Sequence, residues 1–306
     1  MKILVTGGLG FIGQHLVRTL RSDGHEVWTL DLLHHHDPQH LRVDMRSYRA
    51  LEHALAGGGF ELVYQLAAEA GRWNGEAHYE ALWETNVIGT KHLIRLQEKL
   101  HFRMVFLSSS EIYGDFDGVM SEDVPDHTPI RLLNDYAMTK WVGECQIRNS
   151  ETMFGTETVR VRLFNVYGAG EYWGENRGVV ARFLYSAYYD LPYTVYLDHH
   201  RTSTYVTDTV RTLANIATRF RPGAVYNVGG HEYHDIKGLS DLILHKLGKS
   251  DERVTYARSE AFTTRDKQVD MSRAERELAH HPQISLSEGL DLTIMWLKEH
   301  WPPARR

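Results

Sequence analysis

The stretch YAMTKW, residues 136–141, places a tyrosine and a lysine four residues apart in a segment that otherwise predicts the start of a helix. Residues at this spacing are neighbours on one helical face, so the phenol of Tyr136 and the ammonium group of Lys140 can act together. A positive charge beside a phenol favours the phenolate, which makes the pair a candidate catalytic base. The alternative is chance spacing of a packed tyrosine and a solvated lysine, so the pair needs partners elsewhere in the chain.

A run of hydroxyl groups supplies those partners. The apolar run VFL predicts a strand, and it is followed directly by Ser108, Ser109, Ser110 and Glu111. A hydroxyl at the C-terminal end of this strand is expected to lie near the helix of the tyrosine and lysine. It can hydrogen-bond a substrate oxygen while a tyrosinate removes the proton. Such a set suits the oxidation of a secondary alcohol by hydride transfer.

The first turn of the chain, TGGLGFIG, spaces Gly7, Gly10 and Gly13 between a predicted strand at 2–6 and a predicted helix. A dinucleotide site requires glycines there, because the turn is tight, the backbone approaches a pyrophosphate, and the helix packs closely on the strand. The pyrophosphate then lies on the helix N-terminus. An ordinary tight turn is the weaker alternative, since these glycines stand directly between strand and helix.

Two aspartates end the next predicted strands. Asp31 follows the glycines at the distance where a carboxylate can accept hydrogen bonds from the adenosine ribose and repel a 2′-phosphate, which favours NAD over NADP. Asp44 ends the following strand, where its carboxylate can meet the adenine amino group. A helix N-cap or turn role for Asp44 is nearly as well supported by its position.

Regular alternation of strands and helices predicts how these residues are positioned. The first half predicts strands at 2–6, 25–31, 40–44, 60–68, 103–110 and 156–168, with long helices at 79–100 and 136–155. Strands separated by such helices form βαβ units, and right-handed crossovers then give an α/β, Rossmann-type, doubly wound parallel sheet. Further elements are predicted as a loop at 169–176, a helix at 202–220, a strand at 223–230, and mostly helices afterwards.

The loss of alternation after Gly168 divides the chain in two. Residues 1–168 are predicted to form the NAD-binding domain, and the chain is predicted to return to this domain at residues 201–228. Residues 169–200 and 229–306 are predicted to form a smaller, mostly C-terminal lobe that binds substrate. Such a lobe would cover the C-terminal edge of the sheet, where ligands of these sheets bind.

Composition excludes several classes of function. The 306 residues carry a net charge of −6 and no extended basic run, which disfavours nucleic acid binding. No apolar run reaches membrane-spanning length, and MKILVTGG leads into a strand rather than a signal peptide. The single cysteine, Cys145, allows no disulfide within the chain and fits a cytoplasmic setting and a structural thiol. The paired or tripled histidines at 34–36, 199–200 and 280–281 are interpreted as solvated loop residues, so no metal is expected.

The sequence resembles the extended short-chain dehydrogenase/reductase family, in its nucleotide-sugar epimerase/dehydratase branch. The matching pieces occur in family order: TGGLGFIG, LAAEAG (66–71), TNVIGT (85–90), SSSEIYG (108–114), YAMTK (136–140), RLFNVYGAGE (162–171) and RTSTYVTD (201–208). The resemblance implies that Tyr136 is the catalytic base, that Lys140 is its partner, and that Ser109 is the family's serine or threonine.

The resemblance also implies which residues hold the ligands. NAD is expected on Gly7, Gly10, Phe11, Ile12, Gly13, Asp31, Asp44, Leu66, Ala67, Ala68, Asn86, Tyr136 and Lys140. A nucleotide-sugar substrate, most simply a UDP-sugar, is expected on Ser109, Ser110, Glu111, Asn165 and Arg201. Asn165 and Arg201 resemble the family's contacts to the nucleotide diphosphate. Trp73 or Trp173 is a candidate to stack on the sugar, and the equivalents of helices 79–100 and 136–155 pair into a homodimer in the family.

Family enzymes oxidise the sugar at C4 and then differ in the next step. Glu111 stands where dehydratases of the family place the base that removes the C5 proton, whereas Ser110 resembles other dehydratases and uronate decarboxylases. The short chain and the abundance of epimerases in the branch favour a nucleotide-hexose 4-epimerase. A 4,6-dehydratase that uses Glu111 and a UDP-uronate decarboxylase are the alternatives. A non-catalytic NAD-binding scaffold is a distant one, because Tyr136 and Lys140 are both present.

Overall fold

A seven-stranded parallel sheet forms the centre of the computed structural model, which describes residues 1–174 and 176–301. The strands are β1 (Lys2–Thr6), β2 (Glu26–Asp31), β3 (His40–Arg42), β4 (Leu62–Gln65), β5 (Arg103–Ser109), β6 (Val119–Met120), β7 (Thr158–Leu163), β8 (Val166–Tyr167), β9 (Tyr193–Tyr196), β10 (His200–Thr202), β11 (Thr204–Tyr205), β12 (Val225–Val228), β13 (Tyr233–Asp235), β14 (Val254–Ala257) and β15 (Gln268–Val269). The order in the sheet is β12-β7-β5-β4-β1-β2-β3. The predicted α/β class with a doubly wound parallel sheet is confirmed.

Helices cover both faces of this sheet. They are α1 (Phe11–Ser22), α2 (Tyr48–Ala56), α3 (Arg72–Ala77), α4 (Tyr79–Trp83), α5 (Thr90–Leu100), α6 (Val124–His127), α7 (Asp135–Phe154), α8 (Val179–Tyr188), α9 (Val206–Asn215), α10 (Ile236–Leu247), α11 (Ser272–Leu278) and α12 (Leu286–His300). A π-helical turn, Glu84–Gly89, joins α4 to α5, and a 3₁₀ turn, Ser110–Tyr113, follows β5. None of the helices in the described ranges has the length and apolar character that crossing a bilayer requires.

The pleat of β1 explains how one short strand contributes side chains to the cores on both faces of the sheet. Ile3 and Val5 pack in the core with Leu16 of α1, whereas Leu4 packs in a second core with Leu93 of α5. Successive side chains of a strand point to opposite faces, and both faces here are covered by helices. The strand therefore consists of apolar residues without alternation, which is the pattern that predicted it.

The switch in strand order lies between β1 and β4. From β1 the chain first adds β2 and β3 on one side, and it then crosses to build β4, β5, β7 and β12 on the other. Helices that leave β1 and β4 pass on opposite faces, so a crevice opens at the carboxyl ends of these two strands. The glycine turn, the segment LAAEAG and the serine run stand at the carboxyl ends of β1, β4 and β5, at this edge.

Several boundaries differ from the sequence prediction. The strand predicted at 156–168 is broken into β7 and β8 at Asn165, whose φ of 37° is left-handed and ends the strand. The helix predicted at 202–220 is shorter, since residues before Val206 join short strands. Helices α3 and α8 were not predicted, because their apolar residues are too few or too continuous to show a helical period. The division into a cofactor domain and a substrate lobe stays a prediction.

The histidine interpretation is partly wrong. His34 and its two neighbours are exposed, as expected, but His199 and His280 are buried, at 5% and 0% exposure. His280 Nε2 donates to the carbonyl of Gly229 at 2.7 Å, and its Nδ1 lies 2.7 Å from Thr212 Oγ1. A neutral ring with both nitrogens paired can be buried at little cost. Cys145 on α7 is a free, half-buried thiol.

Candidate functional site

The glycine turn between β1 and α1 is packed too closely for side chains. Gly7 has a φ of +66°, and a Cβ on it would lie 2.8 Å from the backbone nitrogen of Ala67. A Cβ on Gly13 would lie 2.1 Å from the carbonyl oxygen of Gly7, closer than atoms can approach. Helix α1 starts at Phe11 with Gly10 as its N-cap, so backbone N–H groups face the crevice. These residues fit the pyrophosphate of a dinucleotide.

Asp31 and Asp44 lie farther along the same edge, at the ends of β2 and β3. The carboxylate of Asp31 accepts hydrogen bonds from the backbone nitrogens of Leu9 at 3.1 Å and Leu32 at 2.8 Å, which ties it to the glycine turn. The side chain of Asp44 instead binds the guanidinium of Arg46 with both oxygens, at 2.7 to 3.1 Å. This hydrogen-bonded pair lowers the pKa of Asp44. An adenine contact of Asp44 stays a prediction.

A cleft of about 670 Å³ opens beside the turn, at the carboxyl ends of β1, β4, β5 and β7. Most of the predicted site residues line it: Gly7, Gly10, Phe11, Ile12, Gly13, Leu66, Ala68, Ser109, Ser110, Glu111, Tyr136, Lys140, Asn165 and Arg201. Ala67 and Asn86 lie behind this wall, and Asp31 and Asp44 lie outside it. The fold therefore brings the serine run and the tyrosine–lysine pair to one surface.

Asn86 stands in the π-helical turn and braces the wall of the cleft. Its side chain accepts from the backbone nitrogen of Glu69 at 2.9 Å and donates to the Glu69 carbonyl at 2.9 Å and the Thr139 hydroxyl at 3.1 Å. One amide thus fixes the segment after β4 against α7. A π-helical turn is a costly local form that persists where it places a side chain.

Tyr136 and Lys140 lie on the first two turns of α7. Asn134 caps this helix, because its side-chain oxygen accepts from the backbone nitrogen of Ala137 at 2.8 Å. Burial raises the pKa of Tyr136 to about 12, although a hydrogen bond with the Ser109 hydroxyl acts in the opposite direction. Lys140 Nζ donates to the carbonyl of Leu107 at 2.8 Å and lies 5.8 Å from the centre of the Tyr136 ring. Burial lowers the pKa of Lys140 to about 8.

Glu111 is held on both carboxylate oxygens by other side chains. Lys267 Nζ lies 2.5 Å from Oε1, and Asn134 Nδ2 donates to Oε2 at 3.2 Å. Burial alone would raise the pKa of Glu111, but the charges of Lys267, Arg72 and Arg201 outweigh it and lower that pKa to about 2. The carboxylate is therefore ionised, and each of its oxygens already has a donor.

The sequence did not point to Lys267 or Arg72. Lys267 reaches Glu111 from 156 residues away, and Arg72 Nη2 pairs with Glu260 at 3.1 Å across the cleft. Lys267 stands in no motif, and Arg72 lies in the stretch GRWNGE (71–76), which matches no family motif but is predicted to shape the sugar pocket. Asn134 was within reach of sequence reasoning, because an asparagine directly before a predicted helix is a capping signal.

The segment 260–267, here called the crossing segment, ties the later part of the chain to residues around the cleft. Asn134 Nδ2 donates to the Phe262 carbonyl at 2.9 Å, and Thr264 Oγ1 donates to the Gly114 carbonyl at 2.5 Å. Arg201 Nη2 donates to the Thr263 hydroxyl at 3.0 Å. These bonds fix the consecutive residues 262–264, and Glu260 and Thr263 line the cleft, so the segment forms one side of it.

Two residues predicted to contact substrate line the far part of the cleft. Asn165 donates through Nδ2 to the carbonyl of Thr202 at 3.0 Å. Arg201 is 6% exposed, and its guanidinium donates to the carbonyls of His200 and Arg265 at 2.7 and 2.8 Å. Within residues 1–174 and 176–301, Arg201 forms no ion pair closer than 4.0 Å. A buried cation whose partners are neutral can receive an anionic ligand.

The two tryptophans named as stacking candidates lie apart. Trp73 lines the cleft and packs edge-on against Phe262, with ring centres 5.4 Å apart. Trp173 stacks on Tyr185 of α8 at 4.7 Å and lines a separate, small cavity near α12. Trp73 is therefore the better placed of the two to contact a ligand in the cleft.

A family model and several known proteins match most of this chain. The family model described as the NAD dependent epimerase/dehydratase family matches residues 3–229. UDP-glucuronic acid decarboxylase 1 of Xenopus tropicalis is 28% identical over 317 residues, covering 97% of this chain and 72% of the relative. dTDP-glucose 4,6-dehydratase of Streptomyces griseus is 28% identical over 331 residues, covering 98% and 96%. The solved UDP-glucose 4-epimerase of Thermus thermophilus, a complex with NAD, is 27% identical with a TM-score of 0.87, covering 98% and 100%.

Proposed function

Because the chain belongs to the NAD dependent epimerase/dehydratase family, we propose that it acts on a nucleotide sugar through a transient 4-keto intermediate. The first choice of reaction is 4-epimerisation of a nucleotide hexose, with a UDP-sugar as the favoured substrate. NAD, when bound, supplies the hydride acceptor at C4. The glycine turn and the N-terminus of α1 hold its pyrophosphate.

The side chains at the cleft divide the proton chemistry between them. Tyr136, as the phenolate, takes the proton from the C4 hydroxyl, and Ser109 holds the oxygen of that hydroxyl. Burial raises the pKa of Tyr136 to about 12, so a positive charge must come close for the phenolate to form near neutral pH. Lys140, 5.8 Å from the ring centre, contributes such a charge. Arg201, which is buried and whose hydrogen-bond partners in the described part of the chain are neutral, binds the diphosphate of the substrate together with Asn165.

The state of Glu111 supports epimerisation over dehydration. A dehydratase needs a base that removes the C5 proton, and a useful base has a pKa near the working pH. Glu111 has a pKa of about 2 and accepts bonds from Lys267 and Asn134 on both oxygens. A carboxylate held in this way is a weak base. An epimerase needs no base there. The 4-keto sugar only has to rotate in the cleft so that the hydride returns to the opposite face of C4.

Decarboxylation of a UDP-uronate is the second candidate. It is compatible with a Glu111 carboxylate that is engaged on both oxygens. A 4-keto uronate is a β-keto acid, so it loses carbon dioxide from C6 while the electrons move onto the C4 oxygen. This bond cleavage requires no base at C5, and the engagement of Glu111 does not oppose it. The decarboxylase of Xenopus tropicalis among the relatives also keeps this candidate open.

Products identify the reaction directly. We would incubate the NAD-loaded protein with UDP-, dTDP-, GDP- and CDP-sugars and follow the products by mass spectrometry and NMR. An inverted C4 centre at unchanged mass supports the proposal, whereas loss of water or of carbon dioxide identifies a dehydratase or a decarboxylase. Net release of NADH would contradict the whole scheme, because it indicates a dehydrogenase that uses NAD as co-substrate. Turnover of no sugar would favour an NAD-binding scaffold.

One variant separates the two leading interpretations of Glu111. Glu111→Gln keeps the side-chain shape and removes the base, so it should cripple a dehydratase by about 10²-fold or more. An epimerase should keep much of its rate. Asp115→Asn, an exposed carboxylate a few residues along the same loop, serves as the matched control.

A further inference from the structure

Lys267 is a buried ammonium group at the active centre. The residue is 1% exposed, and its Nζ lies 2.5 Å from Glu111 Oε1 and 3.4 Å from Ser110 Oγ. Taking both charges of such a pair out of water costs several kcal/mol, so a buried ion pair is weak evidence for a role in stability. A role in the chemistry of the neighbouring groups is the alternative explanation for its position.

The other cations near Glu111 are engaged elsewhere. Arg72 pairs with Glu260 at 3.1 Å, and Arg201 donates to carbonyl oxygens and to the Thr263 hydroxyl. They act on Glu111 through space, whereas Lys267 is in direct contact with its carboxylate. Lys267 is therefore the side chain that balances the Glu111 charge locally.

Glu111 is in turn coupled to the catalytic tyrosine. Its backbone nitrogen donates to Ser109 Oγ at 3.2 Å, and Ser109 lines the same cleft as Tyr136 and acts to lower the pKa of that phenol. The Glu111 charge also acts on Tyr136 directly, in the direction that opposes the phenolate. Lys140 faces Tyr136 from the next turn of α7, and Glu144 faces Lys140 from the turn after that.

We propose that Lys267 is a positioning residue for Tyr136: its ammonium group neutralises Glu111, so that this carboxylate can order the serine run without opposing formation of the phenolate. The inference rests on the proposed function in one respect, the role of Tyr136 as the base. It assigns Glu111 and Lys267 to one electrostatic unit, which explains why a carboxylate that is too engaged to be a base is present at all.

Four variants of the NAD-loaded protein test this unit. In Lys267→Met, Glu111 keeps its charge because Arg72 and Arg201 remain, and it should oppose the phenolate. In Glu111→Gln, Lys267 is left unbalanced and should favour the phenolate. The double variant removes both charges, and Lys267→Arg keeps the positive charge. Lys237→Met, which removes a lysine from an exposed pair with Asp241 on α10, is the matched control.

The readout is ionisation of Tyr136, which needs no substrate. Under the proposed function, Tyr136 of the NAD-loaded protein ionises near neutral pH, where Lys267, whose pKa burial lowers to about 8, still carries its charge. The ultraviolet absorbance of the phenolate is therefore titrated in each variant up to about pH 8, and the same titration with Tyr136→Phe added is subtracted to isolate this tyrosine. We expect Lys267→Met to raise the midpoint and Glu111→Gln to lower it, each by about one pH unit, which is about a tenfold change in phenolate fraction. The double variant and Lys267→Arg should lie within a few tenths of a unit of the unmodified protein, as should Lys237→Met.

An unchanged midpoint in Lys267→Met, or an upward shift that Glu111→Gln does not cancel, overturns the inference. If Lys267→Met does not fold, Glu111→Gln alone decides, since an unchanged or raised midpoint contradicts the coupling. The pH profile of kcat/KM should follow the same order once a substrate is known. Expected titrations with no turnover of any sugar would leave the coupling in place and refute the proposed function, so the two failures are distinguishable.

Discussion

Glu144 and Arg162 form an ion pair of 2.8 Å beneath the cleft, and both side chains have no exposure to solvent. Glu144 stands one turn after Lys140 on α7 and also accepts a hydrogen bond from the Ser108 hydroxyl at 2.6 Å. Arg162 is on β7 and donates to the Tyr113 hydroxyl at 3.0 Å. The pair therefore locks the helix of the proposed base to β7 and, through Ser108, to β5, whose end supplies the serines.

Breaking this pair should destabilise the fold. Glu144→Gln leaves the Arg162 charge buried without its counter-charge, which we expect to lower the free energy of unfolding by about 3–5 kcal/mol. Chemical denaturation measures the change. Asp23→Asn, which breaks the exposed pair with Arg211, should cost less than about 1 kcal/mol. A cost for Glu144→Gln as small as this control would show that the buried network can rearrange.

Tyr136→Phe should abolish turnover and leave NAD binding unchanged. The phenol is the proposed base, and loss of a general base typically costs about 10²- to 10⁴-fold in rate. The ring itself, which packs in the cleft wall, is kept. Turnover and NAD affinity are measured side by side, with Tyr79→Phe on the exposed side of α4 as the control. Undiminished turnover would remove Tyr136 from the mechanism.

Gly13→Ala should lower the affinity for NAD. Its Cβ would lie 2.1 Å from the Gly7 carbonyl oxygen, so the turn proposed to hold the pyrophosphate must move. Gly57→Ala is the matched control, because a Cβ there meets no atom within 4 Å and the backbone has an ordinary φ of −101°. Isothermal titration with NAD compares them, and equal affinities would argue against a pyrophosphate on this turn.

How much the sequence predicted depends on how far apart the interacting residues lie along the chain. The glycine turn and the Tyr136–Lys140 pair are local, since each depends on spacing within one turn or one helix, and their surroundings followed from the alternation of elements. The Lys267–Glu111 pair joins residues 156 positions apart, and it exists only because the crossing segment returns to the end of β5. No periodicity or propensity carries that information, because it is set by tertiary packing.

The burial of His280 shows the same limit on a smaller scale. A histidine pair before a proline is typical of a loop, and the sequence interpretation placed both rings in solvent. The structure buries the first ring because α9 and the end of β12 offer it a hydroxyl and a carbonyl at 2.7 Å each. Partners on other elements, which the local sequence does not contain, decide whether a polar ring is buried.

His280 should make the fold sensitive to acid. Burial lowers its pKa to about 4 from the ordinary value of 6.5, so between these values the unfolded chain binds a proton that the folded chain does not. Stability from this group is therefore complete above about pH 6.5 and is lost as the pH falls toward 4, by at most about 3 kcal/mol. Denaturation of the unmodified protein and His280→Gln at pH 7 and 4.5 should give the smaller pH difference for the variant. Equal differences would contradict the assignment.

A homodimer through the helices at 79–100 and 136–155 is the last prediction. These helices pack together on one side of the sheet and present apolar side chains to solvent, among them Ile88 at 50% and Met153 at 72% exposure. Exposed apolar side chains on neighbouring helices are typical of an interface. Sedimentation at micromolar concentration should therefore give a dimer, and Ile88→Glu should weaken it, whereas Leu191→Glu, which alters an apolar residue of 41% exposure elsewhere, should not. A monomer at that concentration, or equal behaviour of the two variants, would show that these helices face solvent in the working protein.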